Sequence, residues 1–244
     1  MSILNVPPPA FMQDEEIAIF ADAVGKFYQQ HAPQKRVEKW REEGQVEREF
    51  WREAGAAGLL GVSVPTEYGG HGGDFRHDLV VIDQQSKHGV DGFAASLHNT
   101  VILPYLVRHG TEEQKQKYLP RLVSGDLVSA IAMTEPGVGS DLQSITTTAV
   151  KDGNGYRISG SKTYISSGQI ADFIIVVAKT DPNARPRASR CCCWRPKAPK
   201  ASSAGASSTR SGSMRRTLRN CSSTMSSCRP KTCLAESKAR ASTS

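Results

Sequence analysis

Residues 1–184 contain no cysteine; all six (Cys191, Cys192, Cys193, Cys221, Cys228, Cys233) lie further on. A disulfide-stapled secreted fold and a thiolate metal site are therefore excluded for that part of the chain. Long apolar runs are also missing. The longest covers residues 173–178, six positions against the roughly 20 that cross a bilayer. Residues 1–10 lack the positive start and apolar centre of a secretory signal, and nothing repeats at a fixed period. The expectation is a soluble, cytoplasmic protein without a membrane span.

Residues 185–244 have no Val, Ile, Phe or Tyr and one aromatic, Trp194, but hold 14 serines. They carry ten Arg, four Lys and a single acid, Glu236, for a net charge of +13. The whole chain of 244 residues is +7, with 31 basic and 24 acidic side chains, so residues 1–184 hold 17 basic and 23 acidic groups and are −6. An acidic body thus precedes a basic tail that cannot bury enough apolar surface to order itself, and the tail is expected to be disordered.

Residues 14–31 space Ile17, Phe20, Ala21, Val24, Phe27 and Tyr28 for one helical face, with Asp14, Glu15 and Glu16 at the positive end of the helix and Pro33 as its stop. Residues 46–60 repeat the pattern through Phe50, Ala54 and Ala57. After a glycine-rich turn at 65–73, residues 78–87 and 94–109 return to helical spacing. Thr111 and Gln114 fit a capping box ahead of a helix reaching about Val123. At Gly125 the apolar period changes. Residues 145–150 and 156–158 read as a hairpin about 152–155, and 162–166 and 172–180 as further strands, the last apolar enough for burial on both faces. The predicted class is α+β: an all-helical N-terminal domain (1–125), an incomplete antiparallel β domain (126–184) and the tail (185–244).

Chemistry concentrates at residues 131–141, Ile-Ala-Met-Thr-Glu-Pro-Gly-Val-Gly-Ser-Asp. Pro136 fixes φ, Gly137 and Gly139 let backbone approach a ligand, and Thr134 and Ser140 add hydroxyls beside exposed N–H groups, so the loop suits an anionic cofactor. A plain Gly/Ser/Asp turn has the same composition. With Gly-Leu-Leu-Gly-Val at 58–62, Pro-Thr-Glu-Tyr-Gly-Gly at 65–70, Gly-Thr-Glu-Glu-Gln at 110–114, Tyr-Leu-Pro at 118–120 and Gly-Ser-Lys-Thr-Tyr-Ile-Ser-Ser-Gly at 160–168, this loop resembles the flavin signature of the acyl-CoA dehydrogenases. The likeness covers roughly residues 12–182, and residues 129–136 look most like the long-chain branch.

That resemblance implies an FAD enzyme of fatty-acid β-oxidation that places a trans double bond between the α and β carbons of an acyl-CoA and passes electrons to an electron-transfer flavoprotein. It also implies a homo-oligomer. Ile131, Met133, Thr134, Gly139 and Ser140 would line the flavin, with Thr134 on the isoalloxazine and Ser140 reaching both the pyrophosphate and the substrate. Tyr164, Ile165 and Ser166 would cover the other side. The family usually has Trp or Phe at position 164 and often Asn at 167; a Tyr keeps the stacking face. The catalytic base of the family is a glutamate of a C-terminal helical bundle that these residues do not include, so no catalytic residue is assigned. Glu135 reads as a turn acid bonding nearby backbone.

His98 and His109 read as capping or surface residues rather than metal ligands, and the run 191–193 has the wrong spacing for a zinc knuckle, so no metal site is expected. Codons of 216–226 read one frame over permit Asp-Thr-Ala-Glu-Leu-Phe-Phe-Asp-Asp-Val, which resembles the family's next β segment. A frame change between about 181 and 189 is therefore expected, leaving a truncated, inactive chain. Two other readings stay open: a non-catalytic interaction protein whose tail meets nucleic acid through phosphate contacts, and an acyl-CoA oxidase-like relative.

Overall fold

The computed structural model describes residue 7, residues 9–152 and 155–180, and the backbone of 189–194. The chain forms two compact units, residues 1–104 with 119–126, and residues 105–118 with 127–244.

The first unit is helical. Helix α1 (Glu15–His31) buries Ile17, Val24, Phe27 and Tyr28, the face expected from their spacing, and ends at Ala32 before Pro33. Helix α2 (Gln34–Glu43) is not evident from periodicity: of QKRVEKWREE only Val37 and Trp40 are apolar, yet both are buried, three residues apart on one face. Gly44, at φ +67°, closes it in the left-handed conformation. Helix α3 (Arg48–Ala56) is shorter than the expected 46–60. Its Phe50 and Trp51 meet Phe93 at ring distances of 4.9 and 4.7 Å, and Phe50 meets Trp40 at 4.7 Å. Helix α4 (Phe75–Lys87) begins with a capping box between Asp74 and His77.

The expected helix at 94–109 is broken into α5 (Ala95–Leu97), a π turn (His98–Ile102) and α6 (Leu103–His109). Helix α7 (Glu112–Val123) starts as expected: Gln114 Oε1 accepts the Thr111 N–H at 2.9 Å and Thr111 Oγ1 accepts the Gln114 N–H at 3.3 Å. Gly125, at φ +75°, follows it; a Cβ there would meet the Trp51 carbonyl oxygen at 2.0 Å, so no other residue fits without backbone movement.

The second unit holds the sheet. Its strands are β1 (Ser129–Ala132), β2 (Thr148–Asp152), β3 (Gly155–Ser159), β4 (Phe173–Lys179) and β5 (Ser189–Trp194). The change from helix to strand falls where the apolar period changes, but the sheet is mixed, not antiparallel. β1 and β2 both run parallel to β4, with Ile131 beside Ile175 and Thr148 beside Lys179. Only β2–β3 and β4–β5 are antiparallel. The reason is connectivity: residues 152 and 155 allow a tight reversal, whereas long crossovers join β1 to β2 and β3 to β4, and such connections permit parallel pairing. The turn residues 153 and 154 lie outside the described residues.

Strand β4 carries the core with Phe173, Ile174, Ile175, Val176 and Ala178 buried on both faces, as its sequence requires. Residues 162–166, expected as a strand, form none. In the expected disordered tail, 189–194 is a strand along β4, which corrects that reading: an open strand edge bonds to any backbone, whatever the side chains. The rest of the tail call, 185–188 and 195–244, lies outside the described residues.

Candidate functional site

Two segments meet at the end of β1. Strand β1 stops at Ala132, the chain turns at 135–138, and Glu135 and Val138 exchange N–H···O=C bonds of 2.9 and 3.1 Å. The Thr163 N–H donates to the Thr134 carbonyl at 2.9 Å. Lys162 Nζ donates to the Met133 carbonyl at 2.7 Å and to Glu135 Oε1 at 3.0 Å. The side chains of Lys162 and Glu135 are 5% and 3% exposed, so this is a buried ion pair.

Glu135 is tied further: Oε2 accepts the N–H and hydroxyl of Thr146, both at 2.7 Å, and Oε1 accepts the Thr147 N–H at 2.9 Å. Burial pushes this carboxyl up, but hydrogen bonds from Thr147 and Thr146 outweigh it and hold the group at about 2. The Thr147 hydroxyl meets no hydrogen-bonding geometry itself, so the N–H makes the bond that counts. The expectation that Glu135 bonds backbone is correct in kind; its partners lie eleven and twelve residues away.

Ile131 is 9% exposed in β1, while Met133 and Thr134 are half-buried at the stitch. Gly139 and Ser140 are exposed beyond the turn, and Cβ atoms built at Gly137 and Gly139 would meet nothing within 4 Å, so the outer side of the loop is open. Tyr164 is 58% exposed at φ +55°, an uncommon conformation for a bulky residue, and Ser167 shares it at φ +58°. Ile165 packs against the cluster of Ala130, Ala149 and Ile174, and Ser166 is exposed. The structure thus joins Met133 and Thr134 to Lys162 and Thr163, with Tyr164 next along the chain and Gly139 and Ser140 exposed beyond the turn. Lys162 is the residue that sequence reasoning passed over. A lone Lys in a segment expected to be β, with an acid in the neighbouring signature, was the available signal.

His98 is buried and donates its Nε2–H at 3.1 Å to the Leu122 carbonyl in the last turn of α7, which also accepts the Gly125 N–H at 3.2 Å. His109 lies against Tyr105 with ring centres 4.9 Å apart and planes tilted by 50°. Among the described residues no group of His, Cys, Asp and Glu could hold a metal, and no helix is long and apolar enough to cross a membrane.

Comparison with known proteins agrees with this architecture. Residues 14–126 match the acyl-CoA dehydrogenase N-terminal domain and residues 130–220 the acyl-CoA dehydrogenase middle domain. The chain is 41% identical over 167 residues to the long-chain specific acyl-CoA dehydrogenase, mitochondrial, of Sus scrofa, covering 68% of this chain and 39% of that one. It is 43% identical over 187 residues to the mitochondrial isovaleryl-CoA dehydrogenase of Pongo abelii, 76% of this chain and 44% of that one. Among solved structures, an acyl-CoA dehydrogenase from Geobacillus kaustophilus superposes with a TM-score of 0.71 at 42% identity over 74% of this chain and 48% of that chain. A glutaryl-CoA dehydrogenase from Mycobacterium smegmatis in complex with FADH2 gives 0.66 at 28% identity over 75% and 46%. The chain spans two fifths to half the length of these relatives. With two successive domains of one family matched in order, and the stitched loop lying in the second of them, the chain belongs to the acyl-CoA dehydrogenase family.

Proposed function

We propose that this chain supplies the flavin-facing part of an FAD-dependent α,β-dehydrogenase of acyl-CoA thioesters, serving fatty-acid β-oxidation with an electron-transfer flavoprotein as acceptor, in a homo-oligomer. The observation that carries the reading is the stitch between Thr134 and Thr163: the first leads into an open glycine loop, and the second is followed by Tyr164, exposed and at positive φ.

The residues present fit the cofactor. The Thr163 hydroxyl is buried without a partner beside Thr134, and the Gly137 and Gly139 positions leave room for a ligand to approach the backbone. In this reading Thr134 donates to the isoalloxazine edge, and Ile131, Met133 and Ile165 give apolar contact. Gly139 and Ser140 take the pyrophosphate, Ser140 also the substrate, and Tyr164 and Ser166 close the opposite side. A bound flavin supplies the hydride acceptor for the β carbon. The chain's own part is to orient the ring and keep water from it. Removing the α proton needs a base, and Glu135, held at about 2 by its hydrogen bonds, is committed elsewhere. We assign no base to this chain and expect it to show no turnover by itself. The division at 1–125, 126–184 and 185–244, the frame change between about 181 and 189, and a cytoplasmic location belong to the same proposal; the pig and orangutan relatives bear mitochondrial names.

Titrating the purified chain with FAD tests the reading. A saturable quench of flavin fluorescence is expected, weakened by Thr134→Val and by Tyr164→Ala. A chain that takes up no flavin overturns it.

A further inference from the structure

Burying an ammonium and a carboxylate costs several kcal/mol of desolvation per ion, and apolar residues of like size usually serve stability as well or better. The Lys162–Glu135 pair is therefore better explained by what it orders than by what it stabilises. Its bonds converge on three segments. Lys162 holds the Met133 carbonyl at one side of Thr134, and Glu135, at the other side, is held by Lys162, Thr146 and Thr147. Thr134 is thus clamped on both flanks by charge-assisted bonds, while its own carbonyl takes the N–H of Thr163, the residue between Lys162 and Tyr164.

The geometry points to Lys162 and Glu135 as positioning residues: their buried ion pair fixes the direction in which Thr134 and Tyr164 face the bound ligand, without touching it. The inference rests on the flavin reading for the identity of that ligand. The clamp also explains how Tyr164 keeps its left-handed backbone. A strained residue persists only where its surroundings over-determine it, and Lys162 and Thr163 are anchored immediately before it.

The test uses the full chain with Lys162→Met and Lys162→Arg. Amide exchange reports the clamp, and FAD titration of the folded protein reports its consequence. In Lys162→Met the Thr163 and Glu135 amides should exchange about tenfold faster or more, with β4 amides unchanged, and FAD should bind about tenfold more weakly. Lys162→Arg, which keeps charge and donors, should recover most of both. Should Lys162→Met fail to fold, the pair Glu135→Gln with Lys162→Met leaves no lone buried charge and takes its place with the same expectation. A pair serving stability alone would speed exchange in β4 as well and leave the FAD affinity of the folded protein unaltered. Unchanged exchange at Thr163 and Glu135 overturns the inference even where FAD binds well, as does unchanged FAD affinity. A wild-type chain that takes up no FAD overturns the flavin reading and this inference with it.

Discussion

The Thr163 amide donates to the Thr134 carbonyl at 2.9 Å, so these two residues are joined through main chain, and their side chains take no part in that bond. Thr134→Val keeps shape and the main-chain bond while deleting the hydroxyl. The expected loss is one hydrogen bond to FAD, about 1 kcal/mol or roughly fivefold in affinity, with the melting temperature nearly unchanged. Fluorescence titration beside a thermal melt checks both. Equal FAD affinity would remove Thr134 from the flavin contact.

Tyr164 separates strain from function. A left-handed conformation costs a non-glycine residue about 1 kcal/mol or more, and at 58% exposure its ring returns little burial energy to the apo fold. Tyr164→Gly should therefore raise or preserve stability and lower FAD affinity, whereas Tyr164→Phe should leave affinity near wild type. Loss of stability in the glycine variant would show that the ring supports the fold.

What the sequence makes legible depends on the range of the interaction. The Thr111–Gln114 box and both-face burial of β4 follow from local rules and stand as expected. Helix α2 does not, because its two buried side chains become apolar-face signals only once Phe50 packs on Trp40. Strand direction also depends on the crossovers, which periodicity does not encode. At the site, the glycines and hydroxyls of 131–141 are readable, while Lys162 gains meaning only when the fold brings it to Met133.

Asp74 and Arg76 exemplify surface electrostatics that should matter little. Arg76 bonds both Asp74 and Asp14, yet these side chains are roughly half exposed. Arg76→Ala should change stability by under about 1 kcal/mol at ordinary salt, with the difference shrinking as salt is added. A larger, salt-insensitive loss in a urea melt would mean that Arg76 acts through packing of its stem.

Asp78 and His98 oppose each other in the acid range. Both are buried. Burial pushes the Asp78 carboxyl up to about 6; Ser63 and Asn99 lie close enough to favour its charge, but neither oxygen has a partner in bonding geometry. Its raised value means that stability is fully present below about 4 and is lost as pH rises through about 6. Burial lowers His98 to about 4 despite its bond to Leu122. Here the unfolded chain binds the proton more tightly, so stability is full above about 6.5 and is lost as pH falls towards 4. Each effect is worth roughly 3 kcal/mol, with opposite sign over nearly one window, so wild-type stability should be almost flat between pH 4.5 and 6.5. Glu135 does not intrude, since its loss comes between about 4.5 and 2. Asp78→Asn should leave only the histidine and lose stability on acidification, while gaining about 1 to 3 kcal/mol at pH 8, where the buried charge is removed. His98→Gln, which keeps a donor for Leu122, should gain stability on acidification. Urea melts at pH 4.5, 5.5, 6.5 and 8 decide it: slopes of the same sign in the two variants would mean that at least one of these side chains titrates as it does in water.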